Sequence, residues 1–252
     1  MKEFYIDDHG IPLHAKLDLP DKVPCPLCVI VPGLTGHMEE EHIVAVSEAM
    51  NEVGVATLRV ELYGHGKSGG AFREHDLDKW LHNLDAVLDY AKTLDFATKL
   101  YLCGHSQGGL AVILEAGRRP DDIDALIPLA PALNIPAGAK AGLPGPMIEE
   151  PFDPADPPPV IHFHDLPLDG RYITVAAHLD PDAAIDAYKG PVLLVHGTAD
   201  KTVLPQFSKD AAARYANAKL VTTRFDTHCF EFRTPDMCAA VQEFLKEREE
   251  TA

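Results

Sequence analysis

Short apolar runs that recur between longer stretches of helical spacing constrain this chain more than any other feature. Leu27–Val31 is continuously apolar and closed by Pro32-Gly33, as expected of a strand buried on both faces. A helical pattern follows from about Glu40 to Val53, then a strand, Val55–Val60, after Gly54. Leu77, Trp80, Leu81, Leu84, Val87, Leu88 and Ala91 recur at helical spacing within Leu77–Leu94. Lys99–Cys103 reads as a strand, Gln107–Arg118 as a helix and Ala125–Leu129 as a strand. Ahead of them, Lys2–Ile6 and Leu13–Leu19 alternate like strands around the turn-forming Asp8-His9-Gly10. Such alternation predicts an α/β fold, a mostly parallel sheet with helices on both faces.

The rhythm breaks between residues 132 and 186. Ten of the 21 prolines fall between Asn134 and Pro181, Pro157-Pro158-Pro159 among them, and periodicity is slight. It resumes at Pro191–His196, with a helix Pro205–Tyr215, a strand Lys219–Arg224 and a last helix from about Thr234 to Arg248. The expected organisation is a core of residues 1–131 and 187–252 with an inserted, proline-rich cap, 132–186, over the carboxyl ends of the strands. Open α/β sheets place their ligands there.

Charge and cysteine content narrow the partners. The formal net charge is −17, from 39 acidic against 22 basic residues. That field repels phosphate backbones, so nucleic acid is not an expected partner. No apolar run approaches the ~20 residues of a membrane helix, and the opening MKEFYIDDHG does not resemble a secretory signal. A cytoplasmic protein is expected, with the odd set Cys25, Cys28, Cys103, Cys229 and Cys238 as reduced thiols. Cys25 and Cys28 form a C-x-x-C without a second ligand pair, so no zinc site is read from it.

Gly104-His105-Ser106-Gln107-Gly108 fits G-x-S-x-G between a predicted strand and a predicted helix. A turn that tight strains the serine backbone, needs small neighbours, and sets the hydroxyl above a helix amino terminus that favours negative charge. A serine hydroxyl needs a base, and the base needs an orienting acid. Asp200 follows the strand ending at His196, and His228 follows the strand ending at Arg224, so both fall on the same sheet edge as Ser106. Asp226 is the alternative acid, two residues from His228 on one loop, which is poor geometry for reaching its ring. His196 most resembles a rival base, but at a strand end it is expected to make a structural hydrogen bond. Oxyanion donors are expected from the backbone N–H of Gln107 and from the Pro32-Gly33-Leu34-Thr35-Gly36 loop, with Leu34 the best candidate.

Two patterns mislead. Gly64-His65-Gly66-Lys67-Ser68-Gly69 matches G-x-G-x-x-G, but a phosphate loop needs glycine where Glu61 stands. His37 and His42 are five residues apart, so they do not face one ion on a helix, and no metal is expected there.

Together these residues resemble the feruloyl (cinnamoyl) esterases of the α/β-hydrolase superfamily over nearly the whole chain. The most specific stretches are Gly36-His37 with Glu40–Val46, Gly54–Leu58, Tyr63–Ser68, Gly104–Gly109, His196–Asp200 and Asp226–Phe230. The resemblance implies an α/β-hydrolase fold, hydrolysis of hydroxycinnamate esters, no cofactor, and a small cap that shapes the acyl pocket. It implies Ser106, Asp200 and His228 as the triad and Leu34 and Gln107 as the oxyanion donors. It also places Tyr172, in Gly170-Arg171-Tyr172, near the substrate phenol. Phe152, His162, Phe163 and His164 are further candidates for the pocket. The partner implied is a small-molecule ester, with a homodimer left open. The chain departs from its relatives where substrate is chosen: Pro32 replaces a common histidine, Gly138 stands near the place of an acidic side chain, and Trp80 lies outside the cap. A short-chain carboxylesterase or monoacylglycerol-lipase-like enzyme is the rival reading; a hydrolase-fold receptor that has kept its triad is a further one.

Overall fold

The computed structural model describes residues 1–143 and 151–250; residues 144–150 of the expected cap lie outside the described residues. Strands β1 (Lys2–Asp8) and β2 (Ile11–Asp18) form an antiparallel hairpin. Its turn places His9 and Gly10 at φ 49° and 89°. Two successive positive φ values match the twist of paired strands, and a glycine at the second position accepts them without cost.

The sheet continues with β3 (Cys25–Val31), β4 (Ala56–Val60), β5 (Ala97–His105) and β6 (Ala125–Leu129). Two later strands, β9 (Val192–Gly197) and β10 (Ala218–Thr223), complete eight in the order β1-β2-β4-β3-β5-β6-β9-β10. From β4 to β10 every pairing is parallel; only the hairpin and the β2–β4 pairing are antiparallel. From β3 the chain moves out to β4 and then returns across β3 to β5. The order therefore reverses between β3 and β5, and their carboxyl ends flank the crevice in which such sheets bind ligands.

Alternation along the strands explains the unbroken apolar runs. Leu27, Val29 and Val31 of β3, with Leu100 and Leu102 of β5, join the core on one face. Cys28, Ile30, Tyr101 and Cys103 join the core on the other. The first face is covered by α2 (Leu77–Lys92) and α3 (Gln107–Arg118), through Trp80, Leu84, Leu110 and Ile113. The second is covered by α1 (Glu41–Glu52) and α8 (Thr234–Glu250), through Ile43, Val46, Met237 and Val241. A fifth helix, α7 (Pro205–Arg214), links β9 to β10. Among the described residues no helix is long and apolar enough to cross a membrane.

The proline-rich stretch is better ordered than its periodicity suggested. It contains α4 (Asn134–Lys140), a small hairpin of β7 (Val160–Phe163) and β8 (Leu166–Asp169), α5 (Arg171–His178) and α6 (Pro181–Ala187). These pieces are too short for an apolar period to stand out. Helix α6 starts on Asp180, whose side chain accepts from the Ala183 amide, with Pro181 in the first turn. It packs on α3 so closely that a Cβ on Gly117 would lie 2.5 Å from Ala184 Cα.

Glu115 sits fully buried on α3, and burial pushes its carboxyl up to about 8 despite Arg118 at 2.7 Å. The raised folded-state value means that the folded chain holds a proton the unfolded chain releases near the ordinary glutamate value of ~4.3. Its contribution is therefore fully present below that value and lost as pH rises through about 8. Unfolding free energy from urea titrations is expected to fall over this window relative to Glu115→Gln. Parallel pH profiles for the two proteins would refute it.

Candidate active site

Ser106 occupies the turn between β5 and α3 with φ 56° and ψ −120°, a strained conformation for a side-chain-bearing residue. The turn is held by the Ser106 amide on the Leu129 carbonyl, at 2.9 Å, and by the Ser106 carbonyl accepting from Leu110 and Ala132. Both flanking glycines are sterically required. A Cβ on Gly104 would lie 2.3 Å from the Gly108 carbonyl oxygen, and one on Gly108 would lie 2.3 Å from that of Pro32.

His228 and Asp200 reach the same edge from the loops after β10 and β9. The Ser106 hydroxyl donates to His228 Nε2 at 2.8 Å, and His228 Nδ1 donates to Asp200 Oδ2 at 2.7 Å. His105 Nε2 donates to the His228 carbonyl at 2.9 Å, which fixes the backbone of that loop. Asp200 Oδ1 accepts from the amides of Thr202 and Val203, at 2.8 and 2.9 Å. Burial alone would favour protonated Asp200. Hydrogen bonds from His196 and His228 outweigh it and hold the carboxyl well below the usual range. His196, expected to make a structural bond, is Asp200's second ring partner at 3.0 Å, and it accepts from Ser208 at 2.7 Å. The four-residue spacing in His196-Gly197-Thr198-Ala199-Asp200 carried that signal. Asp226 spends Oδ1 on the amides of Thr227 and Phe232 and touches neither ring.

The loop after β3 faces this row. The Gly36 amide bonds the Gly33 carbonyl at 3.0 Å, with Thr35 at φ 62°, so Leu34 lies at the outer corner of a turn. As the first residue of α3, Gln107 has an amide with no acceptor in its own helix. Both residues line the cavity of about 190 Å³ over Ser106 and His228.

That cavity sorts the remaining candidates. Phe163 and Tyr172 line it, beside Ala132, Ile135 and Val203, which the sequence did not single out. Phe152, His162 and His164 do not. On β7, Ile161 and Phe163 are buried while His162 is exposed, because successive strand side chains point to opposite faces. His164, at φ 51°, belongs to the exposed hairpin turn, and Phe152 packs half-buried against the core. The Tyr172 hydroxyl donates to Gln107 Oε1 at 2.7 Å.

The Gly64–Gly69 loop carries its own anion. Glu61 accepts from the Lys67 amide at 2.7 Å and from the Met38 amide at 3.3 Å, and a Cβ on Gly66 would overlap its carboxyl. The carboxylate fills the cradle that a phosphate would need. His37 and His42 do not converge, but His42, His105 and Cys229 bring ligand atoms within 4.8 Å of one another. Burial, aided by Glu40, Glu231 and Asp200, pushes the Cys229 thiol up to about 11.

An eight-stranded, mostly parallel sheet with a strained serine at its edge, hydrogen-bonded to a histidine and through it to an aspartate, defines a serine hydrolase of the α/β-hydrolase class. A family model described as serine aminopeptidase, S33, matches residues 22–148, and one described as TAP-like protein matches residues 171–251. A structure of Est1E from Butyrivibrio proteoclasticus with ferulic acid bound superposes with a TM-score of 0.93 at 48% identity. The match covers 97% of this chain and 98% of that one. The chain belongs to the feruloyl (cinnamoyl) esterase family of the α/β-hydrolase superfamily. More distant curated relatives include a mitochondrial palmitoyl-protein thioesterase, ABHD10, from Rattus norvegicus, 31% identical over 43% of this chain; the match spans only 35% of that protein. A monoacylglycerol lipase from Mycolicibacterium smegmatis is 24% identical over 73% of each chain.

Proposed function

We propose that the protein hydrolyses esters of hydroxycinnamic acids through an acyl-enzyme on Ser106. The row of two short hydrogen bonds from Asp200 through His228 to Ser106, opening into an apolar cavity, carries the reading. The 48% identity to a protein whose structure has ferulic acid bound supports the acyl part. So does the cavity, which is smaller than the ~300–1,000 Å³ of sites for drug-sized ligands and suits a short planar acid better than a long lipid chain.

Ser106 Oγ attacks the ester carbonyl carbon as its proton passes to His228 Nε2. Asp200, already bonded to Nδ1, stabilises the imidazolium that forms. Negative charge develops on the former carbonyl oxygen, and the amides of Leu34 and Gln107 receive it without reorganisation. The alcohol leaves with the proton from His228. Water then attacks the acyl-enzyme, gives its proton to His228, and the hydroxycinnamic acid departs as Ser106 regains its hydrogen. No cofactor enters these steps, and the site is complete within one chain. Residues 132–186 act as the cap that selects the acid, and reduced cysteines suit a cytoplasmic setting.

Hydrolysis of monoacylglycerols is the second reading, supported by the relative from M. smegmatis. One panel of methyl ferulate, chlorogenate, p-nitrophenyl butyrate and a monoacylglycerol separates the two. A higher kcat/KM on the two hydroxycinnamates is expected. Preference for the monoacylglycerol would replace the proposal, and failure of Ser106 to react with a fluorophosphonate would leave only a binding protein.

A further inference from the structure

Gln107 contributes more than its amide. Its side chain is 99% buried and is held at both ends: Tyr172 donates to Oε1 at 2.7 Å, and Nε2 donates to His75 Nε2 at 2.7 Å. His75 must be neutral to accept that bond, and burial keeps it so, holding its pKa well below the ordinary histidine value. The ring packs against His65 and Trp80, with centroids 5.0 and 4.8 Å away, and cannot swing aside without opening the core. Neighbouring pairs run parallel to this bridge: Asp76 accepts from Arg171 at 2.8 Å, and Asp169 accepts from Arg73 at 2.7 Å. Segment 73–76 of the core is thus strapped to segment 169–172, and the innermost strap passes through Gln107.

We propose that Tyr172 and His75 are positioning residues that clamp the Gln107 side chain and thereby aim its amide at the oxyanion, so that helix α5 contributes to transition-state binding. The inference rests on the acyl-transfer reading above. The phenolic proton of Tyr172 is committed to Oε1, which leaves its oxygen able only to accept from a substrate. A clamp that holds the peptide after Ser106 acts only as charge develops, and so appears in kcat.

Tyr172→Phe keeps the ring and removes only the donor. It is expected to lower kcat by about 2- to 12-fold, the range for one neutral hydrogen bond. The loss should be equal on methyl ferulate, methyl cinnamate and p-nitrophenyl butyrate, with KM unchanged. Gln107→Met, which keeps the amide and loses both polar ends, should lose as much, and Tyr172→Phe should add nothing in that background. A loss confined to ferulate would assign Tyr172 to phenol recognition. That result, an effect on KM alone, additive losses or no loss would each overturn the clamp. The rate of Ser106 phosphonylation by a fluorophosphonate should slow by the same factor. It judges the clamp separately: a wild-type protein that reacts with the probe but cleaves no hydroxycinnamate ester refutes the substrate reading alone.

Discussion

Ser106→Ala is expected to lower kcat by a factor on the order of 10⁴–10⁶, His228→Ala to do the same, and the double variant to lose little more. The expectation follows from the single proton path between them. Ser106 has His228 Nε2 at 2.8 Å as its base, and without the serine that ring has no nucleophile to activate. Residues acting as one unit lose their joint contribution once. Single-turnover rates on a p-nitrophenyl ester at saturating substrate measure all three variants. Multiplicative losses in the double variant, or a single variant near wild-type rate, would contradict the assignment.

Asp200→Asn should cost about 10⁴ in kcat. Asp200 Oδ2 accepts from two rings, His228 and His196, while Oδ1 accepts from two amides, Thr202 and Val203. An asparagine must turn its NH₂ toward one of these donor pairs. Facing the rings, it forces His228 to carry its proton on Nε2, where the nucleophile needs a lone pair. Facing the amides, it loses both loop bonds. The carboxyl is held well below the usual range, so Asp200 stays ionised wherever the enzyme works. A fall of kcat/KM in acid is then not expected to come from protonation of Asp200. Wild-type activity that persists into acid with chemistry rate-limiting would count against His228, and near-normal Asp200→Asn turnover would count against Asp200.

Much of the site could be read in the sequence because its geometry is local. Two glycines two residues either side of Ser106 announce a turn that admits no Cβ, and apolar runs before Asp200 and His228 place both on one sheet edge. Burial of β3 on both faces likewise follows from seven consecutive apolar or small residues. Legibility failed where short elements hid their phase. Val160–Phe163 is four residues long and framed by prolines, so nothing in it told Phe163 from His162. It failed again where partners are remote. Tyr172 meets Gln107 across 65 residues and Gln107 meets His75 across 32, and no spacing rule connects a cap tyrosine to the residue after the nucleophile. The buried His42 and the half-buried Glu40 and Cys229 beside the row were hidden for the same reason, lying at the start of α1 and on the loop after β10.

The reversal of strand order between β3 and β5 carries a consequence for how such enzymes diversify. Val31 pairs with Gly104 in mid-sheet, so the oxyanion loop and the nucleophile turn are anchored to adjacent strands whose carboxyl ends are buried. Residues 132–186 enter the chain after β6 and return before β9, outside that anchorage. If residues 132–186 select the acid, as proposed, they can vary while the nucleophile turn and oxyanion loop keep their anchorage. The Tyr172–Gln107 bond is where that independence ends. A transplanted insert that supplies no hydroxyl at this point would bring a new appetite at a reduced pace, and lineages that change diet are expected to keep this contact while freely exchanging the residues around it.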